Sequence, residues 1–217
     1  MKKKNIHQIF LDIGKGSIDT VADGRFKQSK EMTRQYCNKH GYKYCFWTEE
    51  SIYQLLSKTP YEYLNFYKNL RHPIQKIDFT KYLVLYFFGG IYLDLDINIL
   101  PNKSIGHLFN INPLIVRWDN SNLPYNAILG CHKKSPVFLE IIKQCQLDYE
   151  EKSKLNIYKV WYGRFVFQTT GHFMLKRALK KCNINNYQNI LHIKSKGKEI
   201  IAPDPIFLDT NTSVWYK

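Results

Sequence analysis

The apolar positions of the chain alternate between short runs typical of buried strands and longer periodic stretches typical of helices. Residues 6–11 form a short apolar run that predicts a strand leading into a glycine-containing loop. A helix is predicted over 29–40, with Gly41 at its C-terminal cap, and the aromatic run 42–47 predicts a second strand. Strand, helix and strand in this order indicate an α/β fold.

The clearest helix pattern covers residues 74–88 and stops at Gly89-Gly90. A β-type run over 91–95 follows, and Asp94 and Asp96 come at its end. The segment 51–73 is predicted to be helical in pieces. Later helices are predicted from Pro136 to about Cys145 and from Thr169 or Thr170 to about Cys182, and later strands at 114–116, 127–129, 190–193 and 200–201.

Composition limits the class of protein without choosing it. The 217 residues, 44% of them apolar, suit a single domain over 1–217. The formal net charge of +14 is compatible with phosphate, nucleic-acid or anionic partners, although solvated lysines explain it equally well. The five cysteines are odd in number and show no C-x-x-C spacing, which argues against a zinc site or a disulfide framework.

The location is predicted to be cytoplasmic, in a viral, bacterial or similar setting. No apolar run approaches the roughly 20 residues that span a bilayer, so no membrane span is expected. The basic N-terminus is followed by an apolar stretch too short and too polar for a signal peptide.

Asp94 and Asp96 are the candidate chemical centre. Residues two apart on an extended chain project to the same side, so both carboxylates are expected to point together beyond the strand end. Two neighbouring carboxylates repel unless a cation lies between them, and oxygen ligands suit Mg²⁺ or Mn²⁺. Such an ion also binds phosphate oxygens and neutralises a diphosphate leaving group. A bare D-x-D is common, but the block from Gly89 to Asp96 after a Tyr/Leu/Phe-rich helix is far more restrictive.

The chain resembles the glycosyltransferases with the DXD sugar-binding motif. These include the yeast initiating α-mannosyltransferase family and, more distantly, the glucosylating domains of large clostridial toxins. The central match runs through the helix Ile77–Gly90 and the strand Ile91–Asp96. The strand Ile6–Phe10, the segment Thr170–His172 and the terminal Ser213–Trp215 match flanking motifs of the family.

The resemblance implies a glycosyltransferase A-type, Rossmann-like fold with a central mixed, mostly parallel sheet flanked by helices. Residues 1–100 would bind the nucleotide and residues 101–217 would face the acceptor. The implied cofactor is Mn²⁺ or Mg²⁺. Asp96 would bind this metal directly, Asp94 would bridge to the ribose or the metal, and Asn211 would help to complete the metal shell. The remaining implied substrate contacts are Gln8, Phe10 (stacking on the base in place of Trp), Asp78, Lys81, Tyr92, Asn126, Gly171, Ser213 and Trp215.

The implied reaction is a metal-dependent, retaining transfer of a hexose from a nucleotide-diphosphate sugar, with UDP favoured, to a glycan or protein hydroxyl. Two departures concern the donor. Lys81 replaces the usual Arg and gives a point charge instead of a two-pronged donor, and His172 replaces Pro. Three alternatives stay open: a phosphatase with Asp94 as nucleophile, a basic nucleic-acid-binding module, although no nucleic acid is expected as partner, and a degenerate transferase.

Overall fold

The computed structural model describes residues 3–117, 123–155, 162–187, 192–194 and 205–210. The strands in these ranges are β1 (Asn5–Ile9), β2 (Lys43–Trp47), β3 (Gly90–Leu93), β4 (Ile97–Ile99), β5 (Leu114–Arg117), β6 (Pro124–Cys131), β7 (His192–Lys194) and β8 (Phe207–Asp209). The α-helices are α1 (Arg25–His40), α2 (Glu49–Leu56), α3 (Tyr61–Asn69), α4 (Pro73–Phe88), α5 (Pro136–Lys154), α6 (Tyr162–Thr169) and α7 (His172–Lys181).

A five-stranded mixed sheet in the order β2-β1-β3-β6-β5 forms the centre of the fold. Strands β2, β1 and β3 are parallel, whereas β6 runs antiparallel to both β3 and β5. A smaller sheet has the order β4-β8-β7. The carboxyl ends of β1 and β3 therefore meet at one edge of the central sheet, which is where ligands bind in open α/β sheets.

Two apolar cores cover the two faces of the central sheet. Along β3, Ile91 and Leu93 enter the core that contains α1 and β4, whereas Tyr92 enters the core of helices α2 to α7. This alternation is the period of two that a strand buried on both faces requires. Helix α4 carries buried side chains on nearly every turn, so it is held firmly against the sheet.

The predicted α/β class with a mixed central sheet is confirmed. Gly41 ends α1 in the left-handed conformation, with φ of 73°, and Pro136 opens α5 at its first position, as the sequence patterns indicate. Three predictions need correction. Helix α5 extends well beyond Cys145 to Lys154, β3 ends at Leu93 instead of residue 95, and α6 precedes the helix predicted at Thr169. The strand predicted at 200–201 lies outside the described residues.

The five cysteines are free thiols, and three of them are buried. Among the described residues, no helix is both long and apolar enough to cross a bilayer.

Candidate functional site

A cleft opens at the carboxyl ends of β1 and β3, and both motif aspartates line it. Asp94 and Asp96 follow β3, and Phe10 follows the neighbouring strand β1. Ile74 and Ile77 from the first turns of α4 contribute apolar walls. The cleft therefore combines two carboxylates with a mostly apolar lining, which is the composition of many ligand sites.

The two aspartates project from a tight turn instead of an extended strand. The Asp94 backbone N–H donates to the Ala127 carbonyl of β6 at 2.9 Å, which continues the ladder one residue past β3. The Ile97 N–H then donates to the Asp94 carbonyl at 3.0 Å and closes the turn. Asp94 and Asp96 are both partly exposed in this turn, whereas Leu95 between them is buried. The turn thus keeps the two acidic side chains on the cleft side.

Lys81 lies buried beneath the motif, with 1% of its side chain exposed. Its ammonium contacts Asp78 Oδ1 at 2.9 Å and Asp94 Oδ1 at 3.2 Å, and it donates to the Asn126 carbonyl at 3.2 Å. It also lies 4.9 Å from the centre of the Tyr92 ring. Burial lowers the pKa of Lys81, but the two carboxylates outweigh burial and leave this pKa above its ordinary value. Lys81 is therefore a charged lysine that serves as counter-ion to two acids.

Asp78 is a buried carboxylate in the same group. Thr170 Oγ1 donates to its Oδ2 at 3.0 Å, and Asn126 Nδ2 donates to its Oδ1 at 3.2 Å. Burial raises the pKa of Asp78, and the charge and hydrogen bond of Lys81 only partly oppose this rise. The carboxylate thus depends on Lys81, Asn126 and Thr170 to stay ionised in the interior.

Tyr92 contacts the same oxygen of Asp94 as Lys81 does. Its hydroxyl donates to Asp94 Oδ1 at 2.5 Å, and its ring is fully buried. Burial and the neighbouring Asp94 charge raise the pKa of Tyr92 well above its ordinary value, so the phenol stays a donor. Because Lys81 and Tyr92 both contact Oδ1, the Oδ2 atom of Asp94 is the oxygen left for a ligand.

Residues from the small sheet support the turn at Asp96. The Thr210 N–H and hydroxyl both donate to the Asp96 carbonyl, at 2.8 Å and 3.1 Å. Asp209, which pairs with Ile97 in the ladder, accepts a 2.5 Å hydrogen bond from the Tyr125 hydroxyl. Sequence reasoning missed Tyr125, Asp209 and Thr210, and it noted Thr170 only in a flanking motif and at a helix start, without its contact to Asp78. They stand in three-residue strands or at element ends, where no periodic signal exists.

Only some of the other predicted substrate contacts lie at or beside the cleft. Phe10 lines the cleft, and Asn126 is partly exposed beside Asp78. Gln8 does not reach the cleft, because it is fully buried and accepts a 2.8 Å hydrogen bond from Tyr44. Gly171 is buried at the start of α7, where a Cβ would lie 2.9 Å from the Phe167 Cα, so packing alone requires glycine. The predicted Asn211, Ser213 and Trp215 lie outside the described residues.

His172, the second departure from the family pattern, is a packing residue at the first position of α7. It is 6% exposed and contacts the rings of Phe167 and Phe173 at 4.4 Å between centroids. Burial lowers the pKa of His172 to about 4, so the imidazole is neutral near pH 7.

The fold is that of glycosyltransferases. A solved glycosyltransferase involved in glycosylation of the major capsid of PBCV-1 matches with a TM-score of 0.53 at 18% identity, covering 98% of this chain and 96% of that one. The PaToxG glycosyltransferase matches with a TM-score of 0.52 at 17% identity, covering 82% of this chain and 69% of that one.

The family resemblance inferred from the sequence is also confirmed. Residues 23–117 match the family described as "Glycosyltransferase sugar-binding region containing DXD motif", and this region contains Asp78, Lys81, Tyr92, Asp94 and Asp96. A curated relative, inositol phosphoceramide mannosyltransferase 3 of Schizosaccharomyces pombe, is 29% identical over 102 residues. That segment covers 47% of this chain but only 28% of the relative. Family, relative and fold agree on the glycosyltransferase class.

The predicted cytoplasmic location is contradicted by the yeast relatives. Relatives named inositol phosphoceramide mannosyltransferase and mannosyl phosphorylinositol ceramide synthase are yeast Golgi mannosyltransferases.

Proposed function

We propose that this chain is a metal-dependent glycosyltransferase that moves a hexose from a nucleotide-diphosphate sugar to a hydroxyl acceptor. The observation that carries the proposal is the cleft itself. Asp94 and Asp96 line the same cleft as Phe10 at the carboxyl edge of the sheet, with a buried counter-ion, Lys81, behind them. An exposed acidic pair away from a cleft would not support this chemistry.

The donor atoms at the cleft fit Mg²⁺ or Mn²⁺. The acidic side chains that line the cleft are those of Asp94 and Asp96, and both supply hard oxygen ligands. Within the described ranges no group of three His, Cys, Asp or Glu side chains could hold a metal. This suits an ion that takes its remaining ligands from the diphosphate and water, as Mg²⁺ usually does beside phosphates. When bound, such an ion neutralises charge on the diphosphate as the sugar leaves.

The chain's own residues would position the donor. Lys81 and Tyr92 hold the Asp94 carboxylate in one orientation, so its free oxygen needs no rearrangement when the donor enters. Phe10 offers an aromatic face for the base at the apolar side of the cleft. Asp78 and Lys81 are buried, so we propose that they act on the donor chiefly through Asp94 and Asn126, and not through open sugar contacts.

The donor and acceptor are further parts of the proposal. The resemblance to toxin glucosyltransferases favours UDP-sugars, and the names of the yeast relatives add mannose to the sugars worth testing. The acceptor is proposed to be a glycan or protein hydroxyl, with inositol phosphoceramide as the comparison suggested by the relatives. A retaining outcome is proposed from the family resemblance.

The experiment that tests the proposal measures donor hydrolysis and thermal shift with a panel of nucleotide sugars and Mn²⁺. Asp96→Asn is expected to lower hydrolysis by about a thousandfold and to abolish the Mn²⁺-dependent shift, since it removes one of two anionic ligands. Glu151→Gln, at an exposed position of α5, removes the same charge away from the cleft and serves as control. Full activity with EDTA, or equal activity of both variants, would refute metal-dependent transfer at this cleft.

A further inference from the structure

The end of the central sheet opposite the cleft carries a second, differently built feature. Lys3 and Lys4 precede β1, Lys43 opens β2, and Lys133 and Lys134 follow β6. All five lysines are exposed. We call these five lysines the basic end.

The contacts around these five lysines show that the basic end is one surface. A depression is lined by Lys3, Lys4 and Lys133 together with Phe88, and a neighbouring depression shares Phe88 with Lys43. The Lys43 N–H donates to the Lys4 carbonyl at 2.9 Å. The Lys134 ammonium lies 4.3 Å from the centre of the Phe87 ring, at the end of α4.

No acidic residue stands in the segments that form this surface. Residues 3–5, 42–46, 86–90, 106–112 and 130–134 contain no Asp, Glu or Arg. Within the described part of the chain, none of the five lysines makes an ion pair. Phe88 lies among them with 42% of its surface exposed. Positive charge and an exposed aromatic side chain are therefore concentrated here without neutralisation.

We propose that the basic end docks on the surface of an anionic lipid bilayer. Lysine ammonium groups attract a diffuse negative lipid surface, and an aromatic side chain that can enter the headgroup region adds apolar contact. Nucleic acid is less well matched, because recognition of that polymer favours the forked guanidinium of Arg and this surface contains none. Docking would be peripheral and electrostatic.

Docking at the basic end leaves the cleft accessible. The lysines lie at the starts of β1 and β2, whereas Phe10 and Asp94 lie beyond the ends of β1 and β3. The two surfaces are separated by the length of the strands, so a bilayer under one does not cover the other. This inference is independent of the proposed transfer reaction, and each can fail alone.

The test is flotation with phosphatidylcholine vesicles that contain or lack about a third phosphatidylserine, at low salt and at about 0.5 M salt. One variant changes Lys3, Lys4, Lys133 and Lys134 to Gln. A matched control changes four exposed lysines elsewhere to Gln, namely Lys58, Lys68, Lys176 and Lys180. Both variants lose the same net charge. Inorganic phosphate and a random RNA serve as competitors.

The full chain is expected to float with anionic vesicles only, and high salt is expected to release it. Since each lysine near such a surface contributes about fivefold in affinity, the loss of four lysines in the basic-end variant should weaken binding by roughly six hundredfold. The control variant should stay within about threefold of the parent. Equal loss in both variants, displacement by millimolar phosphate, or tighter binding to RNA than to vesicles would overturn the proposal. Asp96→Asn should float like the parent, which separates this result from the fate of the transfer reaction.

Discussion

The two ends of the central sheet hold charge in opposite ways. At the cleft, Lys81 and Asp78 are buried and joined to Asp94, Tyr92 and Asn126 by hydrogen bonds and ion pairs. At the basic end, five lysines stand in solvent without an ionic partner among the described residues. This contrast predicts at which end a single substitution has a large effect. A buried network fails when one member is lost, whereas exposed charges act additively and individually weakly.

Removing the buried cation should give the largest effect. Lys81→Met leaves Asp78 as a buried carboxylate without its counter-ion, so the free energy of unfolding should fall by about 3–5 kcal/mol, measured by urea denaturation. Lys81→Arg retains the charge and should recover much of the stability. Lys76→Met on the same helix removes a half-buried lysine outside the network and should cost under about 1 kcal/mol. Comparable losses of unfolding free energy in Lys81→Met and Lys76→Met would contradict the larger role given to the buried network.

A buried neutral group should give the next largest effect, as a pH dependence. His7 accepts from Trp47 Nε1 through Nδ1 and donates to the Gly89 carbonyl through Nε2, and burial lowers its pKa to about 4. As pH falls from about 6.5 to 4, the unfolded chain binds a proton at this position and the folded chain does not. Stability should therefore fall by about 1.4 kcal/mol per pH unit, or about 3 kcal/mol across this window, from this one group.

Two variants can assign this dependence of the unfolding free energy on pH to particular histidines. His7→Gln should flatten the dependence of unfolding free energy on pH between about 6.5 and 4, with the slope from His172 remaining. His172→Gln should remove the other part of the slope and leave the part that comes from His7. An unchanged slope in His7→Gln would show that the imidazole is not buried as a neutral group.

A smaller effect is expected from the hydroxyl that orients the motif. Tyr92→Phe removes the hydrogen bond to Asp94 and should cost about 1–2 kcal/mol of stability and about tenfold in donor hydrolysis. Tyr44→Phe removes a comparable buried hydrogen bond to Gln8 away from the cleft, so it should cost stability alone. If both variants lose hydrolysis equally, the orienting role of Tyr92 is wrong.

The smallest effect should come from one lysine of the basic end. Lys43→Gln should change the free energy of unfolding by less than about 0.5 kcal/mol, because the side chain is exposed. The same change should weaken flotation with anionic vesicles by about fivefold. A large loss of stability would show that this end of the sheet is held together by its charges after all.

Much of the central fold could be predicted because its signals are local. Helix α4 has a continuous apolar pattern and ends at two glycines, and the acidic motif follows a short β-type run. The helix, the strand and the acidic pair could therefore all be predicted. The end of α1 at Gly41 and the start of α5 at Pro136 are likewise indicated by single residues.

The remainder depends on contacts between distant segments. Strands β4 and β8 have only three residues each, too few for a periodic pattern, yet they bring Asp209 and Thr210 beside the motif. The burial of Lys81 could not be foreseen either. Its sequence neighbours give no sign that Asp94 and the Asn126 carbonyl will enclose it. Gln8 failed as a predicted contact for the same reason, since its partner Tyr44 comes from the neighbouring strand.

Gly89 and Gly90 make the junction of α4 and β3 intolerant of any side chain. A Cβ at Gly90 would overlap the Asn5 carbonyl, and one at Gly89 would lie 2.6 Å from the Lys133 nitrogen. Both glycines also adopt positive φ, at 64° and 115°. Because β3 is only four residues long, a displacement of this junction would also displace the residues that follow the strand. The two glycines at the start of β3 therefore help to set the position of Asp94 and Asp96, which follow the other end of the same strand.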